Sequence, residues 1–433
     1  MSVRPFSGIV KRLGEIDARL YLVIAVVLGV VVRLAYPDDI HYLGDEAWTF
    51  RHVQEAKNGG DWAPLGMPSS RGVRNAGMSV WVFIVLGIVG QASTPPGLTR
   101  AVAVLALIAR VVALAIPFWV LKDDAKEKRT WMWAIALTLT NPILVFLERK
   151  IWAQSVLPIF MVLLLLGWFR RDTKVGAFGW GLLGAVIGQI HMAGFFFAPA
   201  LAFFTWLTGK GARPTSWFAW IVGSAVGAAP AISWLLYLAR DRPASAPSPW
   251  WLRFRLDFYK YFISDPSGLC GEYILGRDVL TAMKYPVVAG CPTYLVGLAH
   301  VALAVASIAL IKRGLDAIRE RRRDWRSLLR GDGDDTGVLL AATLVGMGAL
   351  MTLPSLSIHR HYMLATFPLQ YVLVARFALR KPGGEKWLAV LFAGGLVVTA
   401  GFLSYVHATG ENAEMGKTYA TQVRLGIAAE DAK

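Results

Sequence analysis

The sequence is poor in charge and in cysteine. Of its 433 residues, 17% are charged and two are cysteine, whereas 55% are hydrophobic. It has no polar block long enough to form a separate water-soluble domain, no internal repeat and no low-complexity tract. This composition excludes an ordinary water-soluble globular protein. The sequence therefore predicts an all-α integral membrane protein with a single polytopic domain, residues 1–433.

The first hydrophobic run, residues 20–36, lacks the small-residue cleavage site of a secretory signal peptide. Pro37-Asp38-Asp39 follows it, so we interpret the run as a retained membrane helix. The formal net charge of +16 comes from basic residues in short loops between hydrophobic runs. Orientation in a membrane explains that distribution, so membrane lipids are expected partners and nucleic acid is not.

About eleven hydrophobic segments approach the roughly 17–25 residues that are needed to cross a bilayer. They are residues 20–36, 99–121, 131–147, 152–169, 175–190, 192–208, 216–239, 293–311, 337–353, 361–379 and 387–405. Residues 78–90 are equally hydrophobic but too short to cross, which is typical of a helix that lies in the membrane interface.

The placement of residues 78–90 decides the topology. If this segment lies on the surface, every basic loop falls on the side of Lys11 and Arg12, as the positive-inside rule requires. If it crossed, those loops would move to the opposite side, which the rule disfavours. We therefore predict a first outer loop with an interfacial helix, residues 37–98. The other outer segments are then 148–151, 189–191, the long loop 240–292 and 354–360.

The two cysteines, Cys270 and Cys291, both fall on the predicted outer side of the membrane. A disulfide persists in such an oxidising compartment. We favour a bridge between them, and a pair of buried free thiols is the alternative.

An acidic pair, Asp45 and Glu46, follows the first helix in the sequence HYLGDEAW, residues 41–48. Carboxylates in an outer loop close to the membrane surface can act as a general base, as metal ligands or as solvated loop charges. Both are candidate catalytic residues. A divalent metal ion at the pair is left open, because no residue spacing here forms a ligand motif. No other cofactor is expected.

Further polar residues gather on the same predicted side. Arginine and lysine hold phosphate through charge-assisted hydrogen bonds. Charges and imidazoles at membrane depth are costly, which makes them functional candidates. Snorkelling basic side chains and packed histidines are the structural alternatives. The candidate substrate-binding residues are Glu148, Arg149, Lys150, His191, His359, Arg360, His361 and Tyr362.

Taken in order, these motifs resemble those of the GT-C glycosyltransferases, in particular the branch that contains the protein O-mannosyltransferases and the lipid A aminoarabinose transferase. The motifs are GDEAW at 44–48, the loop RGVRNAG at 71–77, ERKIW at 148–152 and RHYML at 360–364. The resemblance covers the order of elements over most of the chain and implies a GT-C-like fold. It also implies transfer of a sugar from a polyprenyl-phosphate donor to a hydroxyl of a glycan, lipid or protein.

The same resemblance implies roles for single residues. Asp45 is the base or a metal ligand, Glu46 is its neighbour, and Arg149 binds the donor phosphate. The chain departs from the family pattern at Gln154, where an acid is often found, so that Glu148 is left as the substitute. The implied location is a bacterial inner membrane, with the active site on the periplasmic or extracellular face.

Two other classes of function stay open. A multispanning transporter or flippase of a lipid-linked or anionic substrate needs charged residues along a path from face to face, whereas here they collect at one face. A noncatalytic membrane scaffold has no need of Asp45 or Arg149. The convergence of acids and cations on one face favours sugar transfer.

Overall fold

The computed structural model describes residues 18–68, 73–208, 214–240, 255–321, 334–353 and 358–427. Within these ranges the chain is mostly helical and adds three short two-stranded hairpins. Several predicted features lie outside the described residues, namely Lys11, Arg12, Arg71-Gly72 of the RGVRNAG loop, residues 241–254 of the long outer loop and most of the turn 354–360.

The first half of the described chain contains α1 (Ala18–Leu34), α2 (Gly44–Lys57), β1 (Leu65–Pro68), β2 (Arg74–Ala76), α3 (Met78–Val89), α4 (Pro95–Ala113), α5 (Ala125–Thr140), α6 (Pro142–Leu147), α7 (Leu157–Phe169), α8 (Lys174–Ile190) and α9 (Gly194–Thr208). The second half contains α10 (Trp217–Ala228), α11 (Ile232–Arg240), α12 (Asp257–Ser264), α13 (Gly271–Leu275), α14 (Val279–Ala282), β3 (Val287–Val288), β4 (Cys291–Pro292), α15 (Leu295–Arg321), α16 (Asp335–Ala341), α17 (Gly348–Thr352), α18 (Leu369–Leu379), α19 (Glu385–Thr409), β5 (Glu411–Asn412), β6 (Gly416–Lys417) and α20 (Tyr419–Arg424).

The protein is an integral membrane protein, but the predicted count of eleven crossings is not confirmed. Five helices of the described chain are long and apolar enough to cross a bilayer, and a sixth is added if the pair Arg360–Thr366 and Leu369–Leu379, bent by 76°, counts as one span. The five are Pro95–Val120, Trp217–Arg240, Leu295–Glu320, Asp335–Thr352 and Glu385–Thr409. Others, such as Lys174–Ile190, are apolar but shorter.

The core lies around α5 and α6. Every residue from Thr130 to Ile151 is buried, and α1, α18 and α19 pack against α5. The break between α5 and α6 follows from local chemistry: the Asn141 side chain accepts hydrogen bonds from the backbone N–H groups of Ile143 and Leu144, and Pro142 occupies the first helical position. The sequence ERKIW, residues 148–152, follows α6 directly, so its turn is anchored to buried helices.

The short hydrophobic helix α3 runs beside α2. Near its start, the guanidinium of Arg74 lies 6.0 Å from the Trp48 ring. Beyond its end, the Ala92 carbonyl accepts hydrogen bonds from Gln54 and Lys57 of α2 at 3.1 and 2.6 Å. The apolar helix α3 thus packs beside α2, which is rich in charged residues. The placement of α3 in the membrane interface stays a prediction.

Residues 410–427, called the C-terminal segment below, fold back from the end of α19 onto the first outer loop. The ends of α1 and α19 therefore lie at the same end of the bundle. That end, called the site face below, also carries the turn after α6.

The predicted bridge between Cys270 and Cys291 is wrong, because both thiols are free. Cys270 is buried beside α13, and burial raises the pKa of its thiol to about 12. Cys291 is exposed in the β3–β4 hairpin. The two sulfur atoms thus occupy different environments.

Glycines allow α8 and α10 to touch backbone to backbone. A methyl group at Gly223 would lie 2.1 Å from the carbonyl oxygen of Phe178, and one at Gly227 would lie 2.4 Å from that of Leu182. The Gln189 amide bridges the two helices by donating to the Gly227 carbonyl at 2.7 Å. Small residues of this kind are a common basis of helix packing in membranes.

We expect Gly223→Ala to lower the thermal unfolding temperature of the purified protein, with an overpacking cost of about 1–3 kcal/mol. Gly179→Ala is the matched control, since a Cβ at that position of α8 meets no atom within 4 Å. Equal unfolding temperatures for the two variants would contradict the close contact between α8 and α10.

Candidate active site

Glu148 is the most deeply enclosed of the candidate residues. Its side chain has no exposed surface and lies between two guanidinium groups, 2.8 Å from Arg33 of α1 and 2.5 Å from Arg110 of α4. Both arginines also donate to the Thr138 carbonyl of α5, at 3.0 and 3.3 Å. Glu148 thus joins three helices, and both of its carboxylate oxygens pair with arginines.

Arg149 is likewise engaged inside the protein. Its two terminal nitrogens donate to backbone carbonyls at the end of α1, those of Ala35 and Tyr36 at 2.5 and 2.8 Å, and those of Val32 and Arg33 at 3.2 Å. A guanidinium at this position satisfies carbonyls that the helix end leaves without partners and interacts favourably with its negative dipole. Burial lowers the pKa of Arg149 to about 10, so the group stays charged.

Lys150 points to the opposite side of the same turn. Its ammonium lies 3.1 Å from Nδ1 of His41, 4.0 Å from Glu46 and 3.8 Å from the centre of the Trp152 ring. His41 Nδ1 is also 2.7 Å from a carboxylate oxygen of Glu46. Burial lowers the pKa of Lys150 to about 8, and nearby acids partly oppose that effect. A buried lysine with such a pKa can still bind an anion at neutral pH.

The acidic pair of α2 is divided between two environments. Glu46 is buried against His41, whereas Asp45 is exposed and no side chain of the described residues bonds to its carboxylate. Adjacent residues of a helix point in different directions, which accounts for the difference. Partial desolvation and then the charge of Glu46 raise the pKa of Asp45, and Lys150 and His41 oppose the rise.

This division does not suit a metal ion shared by Asp45 and Glu46. In the described part of the chain, no three His, Cys, Asp or Glu side chains converge in a group that could hold one. Glu46 is already engaged with His41 and Lys150. We therefore derive no step of the chemistry through a metal.

The imidazoles form a second group that Trp152 connects to Lys150. The Trp152 ring centre is 5.4 Å from that of His361, and His361 is 5.9 Å from His191 and 5.4 Å from His359. Tyr362 packs against His191 at 4.7 Å. Burial lowers the pKa of His191 to about 4, so this ring is neutral at pH 7. Neutral rings can exchange hydrogen bonds with sugar hydroxyls.

Arg360 turns away from these rings towards the long outer loop. Its guanidinium lies 3.2 Å from Asp265 and 5.4 Å from the ring centres of Tyr261 and Tyr273. Burial raises the pKa of Asp265 to about 7, against the opposing effect of Arg360. The contact joins the turn before α18 to the short helices of the long outer loop.

The structure thus brings together two sets of the predicted residues. Glu46 and Lys150 meet at His41 with Asp45 beside them, and His191, His359, His361 and Tyr362 meet across Trp152. Glu148, Arg149 and Arg360 hold the surrounding elements. Sequence reasoning missed the roles of Arg33, Arg110, His41 and Asp265. An arginine inside the hydrophobic run 99–121 was an available signal for Arg110.

No protein-family profile and no curated protein sequence matches the chain. Among solved structures, the oligosaccharyltransferase of Archaeoglobus fulgidus in its apo form is similar with a TM-score of 0.45 and 14% identity over 83% of this chain; the alignment spans half, 50%, of that protein. ArnT of Cupriavidus metallidurans bound to undecaprenyl phosphate gives 0.44 and 14%, over 90% of this chain and 78% of that one. Both are GT-C fold glycosyltransferases, the class that the motifs resemble.

Replacing Glu148 by Gln should strongly destabilise the fold, because two buried guanidinium groups would lose their counter-charge. Breaking a buried ion pair costs about 3–5 kcal/mol. The measurement is thermal unfolding in detergent, with Glu320→Gln as the control. Glu320 forms an exposed pair with Arg380, and such pairs contribute about 0–1 kcal/mol. A wild-type unfolding temperature for the Glu148 variant would show that the three-helix junction carries little stability.

Proposed function

We propose that this protein is a membrane glycosyltransferase that moves one sugar from a polyprenyl-phosphate donor to a hydroxyl acceptor on the non-cytoplasmic face of a bacterial inner membrane. The carrier class comes from the resemblance of the ordered motifs. The observation that carries the reaction type is that an exposed carboxylate, Asp45, adjoins Glu46 in the sequence, and that Glu46 lies 4.0 Å from the buried ammonium of Lys150 at the site face.

The two groups suit the two charges that develop during transfer. The acceptor oxygen forms a bond to the anomeric carbon of the sugar, and its proton passes to Asp45. The bond from that carbon to the phosphate oxygen breaks, and the electron pair stays on the departing polyprenyl phosphate. Lys150 faces that oxygen and stabilises the added negative charge in a water-poor setting. No oxidant or reductant is required.

Because Arg149 and Lys150 have different contacts, we assign the donor phosphate to Lys150 rather than to Arg149. The terminal nitrogens of Arg149 already donate to four carbonyls, so phosphate binding there would leave the end of α1 unsatisfied. Lys150 contacts side chains instead, namely His41 at 3.1 Å, Glu46 at 4.0 Å and the rings of Phe146 and Trp152. We assign the hydroxyls of the transferred sugar to His361, which lies beside Trp152, and to His191, which packs against His361.

Asp45→Asn should reduce transfer by about 100-fold or more, because the amide cannot accept the acceptor's proton. The assay incubates the purified protein with a panel of polyprenyl-phosphate sugars and measures release of free polyprenyl phosphate. Glu55→Gln is the matched control, since Glu55 is an exposed acid of the same helix.

Normal transfer by the Asp45 variant would exclude it as the base. Movement of an intact donor across vesicles, without release of free polyprenyl phosphate, would favour the transporter instead.

Donor binding should weaken as the pH rises through about 8. The pKa of Lys150 lies near 8, so the ammonium that meets the phosphate is present below that value and is lost above it. On the acid side, kcat should fall as Asp45 becomes protonated, at a pH above the usual range of an aspartate, because its pKa is raised.

The measurement is the pH profile of donor KM and kcat. Lys150→Arg should abolish the alkaline limb, since arginine stays charged throughout this range. An alkaline limb that persists unchanged in this variant would rule out Lys150 as its source.

A further inference from the structure

The C-terminal segment is fastened to the loop that carries His41. The backbone N–H groups of Tyr419 and Ala420 donate to the carbonyls of Ile40 and Asp38 at 2.9 and 3.0 Å. The buried amide of Gln422 donates to the Tyr42 carbonyl at 3.0 Å. Because these bonds lie on both sides of His41, the segment is a fixed part of the site face.

The same segment also reaches the long outer loop. The Ala413 N–H donates to the Asp278 carboxylate at 2.7 Å. The side chain of Asn412 accepts hydrogen bonds from the backbone N–H groups of Glu414 and Met415, at 2.9 and 2.7 Å. This turn fixes the backbone at Met415, whose side chain is buried at 4% exposure.

Met415 contributes to a small cleft beside Lys150. The polar residues of its lining, called the polar wall below, are Asp39, His41, Arg149 and Lys150, and the apolar residues, called the apolar wall below, include Phe146, Phe402 and Met415. The Asp39 carboxylate pairs with His407 at 2.7 Å, and the ammonium of Lys150 suits a phosphate. The apolar wall suits a hydrocarbon attached to that phosphate. Phe146 and Phe402 belong to packed helices, whereas Met415 belongs to the C-terminal segment.

We propose that Met415 determines specificity for the donor: the isoprenyl unit next to the phosphate packs against Met415 while the phosphate lies at Lys150. This inference rests on the proposed function and adds a residue that the motifs do not contain. An unbranched, polarisable thioether adapts its shape to a flat, unsaturated hydrocarbon. The C-terminal segment therefore contributes one residue to the apolar wall that recognises the lipid part of the donor.

The test measures binding without sugar transfer, by calorimetric titration of the full-length protein in detergent with geranyl phosphate or with inorganic phosphate. Met415→Ala should weaken binding of geranyl phosphate about tenfold, the effect of losing one apolar side-chain contact. Binding of inorganic phosphate should stay unchanged, because it needs only the polar wall. Met415→Leu conserves volume and apolarity and should retain wild-type affinity.

Val423→Ala is the matched control, because Val423 lies in the same segment and is 52% exposed. Met415→Gln keeps the length of the side chain but adds a polar amide, so it supplies the same test if the alanine variant does not fold. Geranyl phosphate affinity within about twofold of wild type in both variants would overturn the proposal. An equal loss for geranyl phosphate and inorganic phosphate would overturn it as well, since the change would then act through Lys150.

Failure of this inference and failure of the proposed function give different results. Loss of transfer in Asp45→Asn with no effect of Met415 on geranyl phosphate binding retains the glycosyltransferase and removes the role of Met415. Selective loss of geranyl phosphate binding in a protein that transfers no sugar retains the lipid-phosphate cleft and removes the reaction.

Discussion

The enclosed ion pairs of Glu148 with Arg33 and Arg110 are the interaction on which the site face depends. Two hydrophobic helices, α1 and α4, each bring one arginine to the Glu148 carboxylate, which lies near the end of the buried stretch, residues 130–151. Both guanidinium groups also donate to the Thr138 carbonyl near the end of α5, where the helix dipole favours positive charge. Because Glu148 is fixed in this way, the next two residues, Arg149 and Lys150, are held in defined directions.

Those two residues show how neighbouring cations acquire different tasks. Arg149 presents a planar group with several donors, which fits a ring of carbonyl oxygens at the end of α1. Lys150 presents a single compact charge whose proton affinity responds to burial, and it faces acids and an imidazole. Arg149 therefore stabilises the turn, and Lys150 in the same turn is the candidate for chemistry. The hydrogen bonds of Arg149 help to hold Lys150 in position.

The sequence was sufficient to predict the hydrophobic helices and the clustering of polar residues in a few turns, because hydrophobicity and charge are properties of the segments themselves. It was not sufficient to predict which residues meet. Arg149 matched the expected phosphate ligand by position, yet only the path of α1 shows that carbonyls occupy it. Likewise, Asp45 and Glu46 are two adjacent acids in the sequence, and only the helix geometry shows that Glu46 is buried and Asp45 is exposed. The cysteines failed for the same reason, since a bridge depends on distance.

The order of the chain has a consequence for biogenesis. The loop around Ile40 emerges early from the ribosome, whereas its hydrogen-bonding partner Tyr419 emerges only after every intervening helix. The cleft beside Lys150 therefore lacks Met415 throughout membrane insertion. It is completed only when the C-terminal segment has been released. A nascent chain stalled before that point lacks the C-terminal segment at the site face, so the site face is complete only after the bundle is assembled.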